Sequence, residues 1–384
     1  MINSLAKGIY KVPEYMNKNI LAFGKEVFME RIDIKSLNYE ELMKAMEQLG
    51  EKSFRGKQIY QWLHQKSVES FEEMTNISKA LQEKMKENFY IAKTEMVDKL
   101  TSKDGSTTKF LFALEDGKVI ESVLMKYKHG NSVCISSQVG CRMGCNFCAS
   151  TLGGLERNLT VSEMLGQIYA IMNISGERVS NVVVMGTGEP FDNYENLVKF
   201  IKMLTDEQGY NLSQRNITVS TCGIVEKIHQ LAQEKLQITL AISLHAPNDA
   251  ARKKLMPIAN KYTIKEILEA CDTYYKATGR RISFEYSLVK NENDSREYAI
   301  QLAGLLRGKN CHVNLIPVNP IKERNYKDSD LAYIQEFKLT LEKFGINVTI
   351  RREMGRDIDA ACGQLRKSYM DKKGEKGHED IFHN

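Results

Sequence analysis

Cys141-Arg-Met-Gly-Cys145-Asn-Phe-Cys148 sets three thiols on one short stretch, with three residues in the first gap and two in the second. Three thiolates cannot by themselves complete the tetrahedron of a structural zinc site. They can hold three irons of a four-iron, four-sulfur cluster and leave the fourth iron open. A substrate that chelates the open iron can receive an electron there, which is the setting needed to cleave a sulfonium carbon–sulfur bond into a radical. The same thiols also allow a zinc site that borrows a distant fourth ligand, and the spacing alone leaves that arrangement open.

Further polar residues fall at or just beyond predicted strand ends. Met185-Gly-Thr-Gly188-Glu189-Pro190 follows an apolar run, where glycine lets backbone approach a ligand closely and Glu189 can accept hydrogen bonds from an ammonium group. Ser220, Ser243-Leu244-His245 and Asn319 offer hydroxyl, imidazole and amide groups suited to a ribose or carboxylate, or simply to local backbone. Cys134 lies in the first predicted strand and Cys362 follows the last. In a closed barrel those two strands are neighbours, so the thiols could form a pair. The other reading is two buried core cysteines, as for Cys271 and Cys311.

Strands that could carry these residues are predicted at 132–137, 180–185, 216–221, 237–244, 281–288, 312–317 and 346–351. Helical patterns lie between them, for example at 161–174, 193–207, 263–277, 294–308 and 328–344. Alternation over some 220 residues predicts a parallel α/β sheet, and six or seven units are too few for a full eight-unit barrel. The expected fold is therefore a partial (βα)6-type barrel with its chemistry at the carboxyl ends of the strands. The barrel is expected over 131–365, and helical periodicity over 36–95 predicts a small N-terminal helical domain spanning 29–95, an accessory domain for binding RNA. Residues 96–130 read as a β linker segment around the Glu115-Asp116-Gly117 turn. Residues 366–384 read as a polar, disordered tail. Within the helical part, Phe54-Arg55-Gly-Lys57-Gln-Ile-Tyr-Gln-Trp62 interleaves bases with aromatics, which suits phosphate contact and base stacking. The preferred reading from sequence alone is a solvated amphipathic helix with Trp62 in the core.

The 384 residues are 42% hydrophobic and 27% charged, which excludes wholesale disorder. No apolar run reaches the roughly 18 residues that span a bilayer, and residues 1–30 lack the features of a signal peptide, so a cytoplasmic protein is expected. Eight cysteines in such a chain point to metal or catalysis in place of a disulfide framework. With 54 basic and 49 acidic residues, a net charge of +5 permits a nucleic-acid partner without requiring one.

The cysteine motif, with Phe147 before its last cysteine, resembles the signature of the radical S-adenosylmethionine (radical SAM) superfamily. Ser132-Val-Cys134-Ile-Ser-Ser-Gln-Val-Gly-Cys141, Arg157-Asn-Leu-Thr160, Ser243-Leu-His-Ala-Pro-Asn248, Leu255-Met-Pro257, Val313-Asn-Leu-Ile-Pro317 and the Cys362 segment are similar to the RlmN family of dual-specificity RNA methyltransferases. The resemblance runs from about Arg31 to Leu365. It implies methylation of carbon 2 of an adenine in the peptidyl-transferase region of 23S rRNA and of an adenine beside the tRNA anticodon. It implies a 4Fe-4S cluster on Cys141, Cys145 and Cys148, and S-adenosylmethionine held by Gly188, Glu189, Ser220, Ser243, Leu244, His245 and Asn319, two molecules per turnover. Cys362 would carry the methyl group, Cys134 would resolve the adduct through a Cys134–Cys362 disulfide, and Glu121 would accept the ring proton. The family also implies an electron donor such as flavodoxin or ferredoxin, and a monomer without membrane attachment.

Ser150-Thr151, Thr187 and Cys222 depart from the usual family residues. Residues 1–28 have no recognised counterpart and read as an extension that is possibly not native, with Met29 as an alternative start. The rival readings are a Cfr-type enzyme methylating carbon 8, a radical SAM enzyme acting on a peptide or metabolite, and a non-enzymatic zinc-dependent RNA-binding protein. Pro190 and Arg356-Asp-Ile-Asp359 resemble the carbon 2 family more than the Cfr type.

Overall fold

The computed structural model describes residues 31–321, 324–352 and 354–360. Strands β1 (Ile32–Asp33) and β2 (Phe89–Tyr90) pair in parallel around helices α1 (Tyr39–Gln48), α2 (Phe54–His64) and α3 (Lys79–Asn88). A capping box starts α1: Glu41 N donates to Asn38 Oδ1 and Asn38 N to Glu41 Oε2, satisfying two otherwise orphaned amides. The helices bury Leu42, Met46, Ile59, Tyr60, Leu63 and Met85 in a core that continues without a break into the sheet region. Trp62 packs half-buried on that core, with its indole N–H donated to Asn76.

Next come β3 (Glu95–Thr101), β4 (Thr107–Ala113) and β5 (Val119–Tyr127), joined in antiparallel register. Strand β6 (Gly130–Ile135) pairs antiparallel with β5, Val123 opposite Cys134. The segment read as a β linker is therefore an integral wing of the main sheet. Its strands are buried on both faces along much of β4 and β5, a pattern that a free connector could not sustain.

After the small β7 (Gln138–Gly140) and β8 (Leu155–Asn158) hairpin, the chain alternates. The order is α4 (Val161–Ser175), β9 (Val179–Val184), α5 (Tyr194–Leu204), β10 (Ile217–Thr221), α6 (Val225–Glu234), β11 (Thr239–Ser243), α7 (Asp249–Leu255) and α8 (Ile264–Thr278). It continues with β12 (Ile282–Leu288), α9 (Arg296–Leu306), β13 (Cys311–Pro317), α10 (Leu331–Lys343) and β14 (Asn347–Ile350). Each of the seven predicted strands is present within a few residues of its expected place. The ten-stranded sheet has the order β14-β13-β12-β11-β10-β9-β6-β5-β4-β3, parallel from β14 to β6. Six strand-to-helix units plus a seventh strand make the predicted partial barrel.

The barrel is not closed as the Cys134–Cys362 argument requires. The free edge of β6 is taken by β5, so β14 cannot pair there. The chain instead crosses back after β14: Asp357 Oδ2 accepts from Lys103 N at 2.9 Å, and Asp359 O accepts from Lys109 Nζ at 3.2 Å. Among the described residues no helix is long and apolar enough to cross a membrane.

Candidate active site

The cysteine loop runs between β7 and β8 and is fastened at several points. Cys141 N donates to Gly154 O at 2.9 Å, and Thr151 Oγ1 donates to Cys148 O at 2.9 Å. Asn146 donates its N–H to Leu255 O and its side-chain amide to Lys254 O, tying the loop to the end of α7. Phe147 stands edge-on to the His245 ring, centroids 4.9 Å apart.

Cys141, Cys145 and Cys148 line one cavity together with Gly188, Glu189, Ser220, Ser243, His245 and Asn319. The strand ends thus bring together nine residues that are scattered over 179 positions of sequence. Burial pushes the Cys141 thiol up to about 12 and raises the Cys145 thiol well above the ordinary thiol range, with neighbouring thiols and Glu189 adding to it. Such thiols become ligating thiolates when a cation is present to repay the charge. Among the described residues no three of His, Cys, Asp and Glu meet closely enough for a single metal ion. Three sulfurs bound to three separate irons need not meet at a point, so the donor set fits a cluster better than a lone zinc.

Gly186 and Gly188 prove to serve the protein's own packing. A Cβ on Gly186 would fall 2.7 Å from Ile135 O. Gly188 sits at φ +113°, and its Cβ would fall 2.6 Å from the Gln138 Cβ. Only glycine lets the β9 end lie against the chain leaving β6. Glu189 is buried, and its carboxylate accepts from Phe191 N at 3.0 Å and Cys222 N at 2.8 Å. Burial raises its pKa and these donors pull it back. The carboxylate is thereby held rigid at the cavity wall.

On the adjacent strand ends the Ser220 and Ser243 hydroxyls are 3.3 Å apart. His245 adopts a left-handed backbone at φ +55°, and its Nδ1 accepts from Ser287 N at 2.9 Å. That bond puts the ring proton on Nε2. Burial lowers the pKa to about 3, so the ring is a neutral donor at physiological pH. Leu244 differs from its expected place: its side chain is in the core and does not line the cavity, so only its backbone can face a ligand. Its N–H already donates to Glu285 O.

Sequence reasoning missed Glu285, which also lines the cavity. It accepts from Asn314 Nδ2 and Ser283 Oγ, and burial raises its pKa. The available signal was the single charged residue of the strand, set between Phe284 and Tyr286.

Glu121 and Cys134 form a second cluster beside the first. Glu121 is 1% exposed on β5, with the equally buried Lys109 ammonium 3.8 Å from its Oε1. Cys134 packs with Val123, Met125 and Ala360, and Met185 and Ile358 cover the same patch. Met185 also lines the cysteine-loop cavity, so the two clusters adjoin. Cys362 and its proposed disulfide lie outside the described residues, which end at Ala360. On the helical part, Phe54 is exposed with the Arg55 guanidinium 4.9 Å over its ring, and Lys57 is exposed beside them.

A partial parallel barrel with three cysteines and a polar wall at its strand ends is the arrangement of radical SAM enzymes. A family profile described as "Radical SAM superfamily" matches residues 135–303, and one described as "Ribosomal RNA large subunit methyltransferase N-terminal domain" matches residues 32–91. The crystal structure of a radical SAM methyltransferase from Sphaerobacter thermophilus superposes with a TM-score of 0.84 at 41% identity, covering 87% of this chain and 99% of that one. A probable dual-specificity RNA methyltransferase RlmN from Lachnospira eligens is 66% identical over 339 residues, 88% of this chain and 97% of the relative. One of the same name from Lachnoclostridium phytofermentans is 63% identical over 343 residues, 89% and 96% of the two chains. The chain belongs to the RlmN family of radical SAM RNA methyltransferases, enzymes that use a 4Fe-4S cluster and S-adenosylmethionine.

Proposed function

We propose that this protein methylates carbon 2 of adenine in 23S rRNA and in tRNA through a methyl group carried on Cys362. The observation that carries this reading is the return of the chain from β14 to β4–β6. It brings Ala360, two residues before Cys362, into one apolar patch with Cys134, next to the cluster cavity and near Glu121.

Carbon 2 of adenine is an electron-poor amidine carbon and does not attack a methylsulfonium as a nitrogen nucleophile would. The bound cluster and S-adenosylmethionine supply the radical chemistry that this inert carbon needs. Cys141, Cys145 and Cys148 hold the cluster. Glu189 presents a fixed carboxylate to the cofactor's ammonium group, and Ser220, Ser243, His245 Nε2–H, Asn319 and the Leu244 backbone surround the rest of it. Cys362 places the methyl carbon against the base. Glu121, dry and next to Lys109, accepts the former ring proton. Cys134 then bonds to the Cys362 sulfur as the bond from that sulfur to the transferred methylene carbon breaks; the methylene, now held by carbon 2 of the base, gains a proton to become the methyl group, and a disulfide is left to be reduced.

The target adenine must leave its stack to reach this depth. Phe54, Arg55 and Lys57 on α2 supply a stacking ring and two cations for RNA outside the site. A small one-electron protein of the flavodoxin or ferredoxin type supplies the electron, and the enzyme works as a cytoplasmic monomer. Mass analysis of nucleosides from a deletion strain tests the reading. Loss of 2-methyladenosine from both RNAs, restored by this gene, is expected, and a missing 8-methyladenosine in its place would overturn it.

A further inference from the structure

Arg252, on α7, is fully buried, although a guanidinium cannot shed its proton to escape the cost. Among the described residues every hydrogen bond its guanidinium makes goes to a backbone carbonyl. Nε donates to Leu244 O at 3.1 Å, and Nη2 donates to Cys222 O at 2.6 Å and Ser243 O at 3.3 Å. Its Nη1 is buried with no hydrogen-bond partner among the described residues. Asp249, at the start of the same helix, is a weak counter-charge whose Oδ1 is engaged by Ile264 N. Three carbonyl dipoles repay part of the desolvation of a full charge, and an opposite charge must repay the rest.

The place of Arg252 in the fold says where that charge belongs. Asn146, next to Cys145, is bonded twice to the last turn of α7. Cys145 packs in one apolar cluster with Leu255, Met256 and Cys222. The Cys222 carbonyl that Arg252 grips belongs to the residue whose N–H holds Glu189.

We propose that Arg252 is the buried counter-charge of the iron–sulfur cluster, a positioning residue that raises the cluster's reduction potential. The proposal rests on the assignment of the cluster to Cys141, Cys145 and Cys148. A 4Fe-4S core of charge 2+ with three thiolates carries a net charge of −1, and one-electron reduction makes it −2. A fixed cation in a water-excluded wall favours the more negative form, and net charge around a cluster is one of the terms that set its potential. Arg252 does not line the cavity, so it acts through the wall and does not touch the cofactor.

The test uses the full chain, reconstituted anaerobically, as wild type, Arg252→Lys and Arg252→Met. Iron and sulfide are assayed first, and the reduced cluster is then titrated against potential by electron paramagnetic resonance. With the solution held at the wild-type midpoint, the ratio of reduced to oxidised cluster is expected to fall at least tenfold in Arg252→Met. That is a shift of about 59 mV for a one-electron couple. Arg252→Lys, which keeps the charge, is expected to stay within threefold of wild type. Unchanged midpoints in both variants would overturn the proposal. An equal fall in both would also overturn it, because anchoring of the carbonyls would then be the whole role. Should Arg252→Met fail to fold, Arg252→Lys decides alone: a midpoint within threefold supports the proposal and a tenfold fall overturns it. A wild-type protein without a four-iron cluster, or a Cys145→Ala protein that keeps its iron, would refute the cluster assignment separately, before any potential is read.

Discussion

Lys109→Met removes one partner of a pair that is 1% exposed on both sides. At 3.8 Å and an effective dielectric constant near 20, the attraction between Lys109 and Glu121 is about 4 kcal/mol. The ammonium also donates to Asp359 O at 3.2 Å, a charged hydrogen bond of about 1.5–3 kcal/mol. Against these stands the desolvation cost of the ammonium, several kcal/mol, which methionine does not incur. The balance falls at the lower end of the range measured for breaking a buried pair, about 3 kcal/mol of lost stability. Urea unfolding of the anaerobic protein measures it. The loop leading to Cys362 loses its tie to β4 in the same variant, so methylation of Cys362, read by peptide mass, should slow. A double-mutant cycle with Glu121→Gln should show a coupling of at least about 1 kcal/mol. Lys109→Met within about 0.5 kcal/mol of wild type, or a cycle without coupling, would refute the reasoning.

Cys145→Ala should lose the cluster and the formation of 5′-deoxyadenosine together, and iron analysis of the reconstituted protein checks it. Cys134→Ala should stall as a covalent protein–RNA adduct on the peptide containing Cys362, visible on a denaturing gel and removed by nuclease; an adduct on Cys222 or Cys271 would assign the carrier wrongly. His64 is buried at the seam between α2 and α4, and burial holds its pKa near 3, below the ordinary 6.5. The neutral ring therefore contributes stability that is present above pH 6.5 and is lost as pH falls toward 3. The expected slope is about 1.4 kcal/mol per pH unit, absent in His64→Gln, as read by urea unfolding at stepped pH. Arg55→Glu with Lys57→Glu should weaken RNA binding at fixed salt and flatten its salt dependence while leaving iron content unchanged. Deleting the whole helical part is a poorer test, because Leu42, Ile59 and Tyr60 share one core with Ile168 and Leu204.

The three-thiol motif and the order of the elements are legible in the residue pattern. A three-thiol motif has few uses, and its meaning survives without coordinates because ligand spacing within a loop is local. Hydrophobic periodicity is local too, which is why seven strands were legible to within a few residues. Glycine spacing was legible as a signal and its cause was not. Gly186 and Gly188 are required by Ile135 and Gln138, some 50 residues earlier, and no window around them contains that contact. Tertiary structure alone decided the rest. It made residues 95–127 a wing of the sheet, which denied β14 an edge on β6 and sent the chain back toward Cys134 by a different route. It moved the Leu244 side chain out of the cavity and brought Glu285 in. It buried Arg252 behind the cysteine loop with its guanidinium bonded, among the described residues, to backbone carbonyls alone. Each of these turns on which strand neighbours which and on what a buried charge finds within a few ångströms, and those are properties of long-range packing that pattern along a chain does not carry.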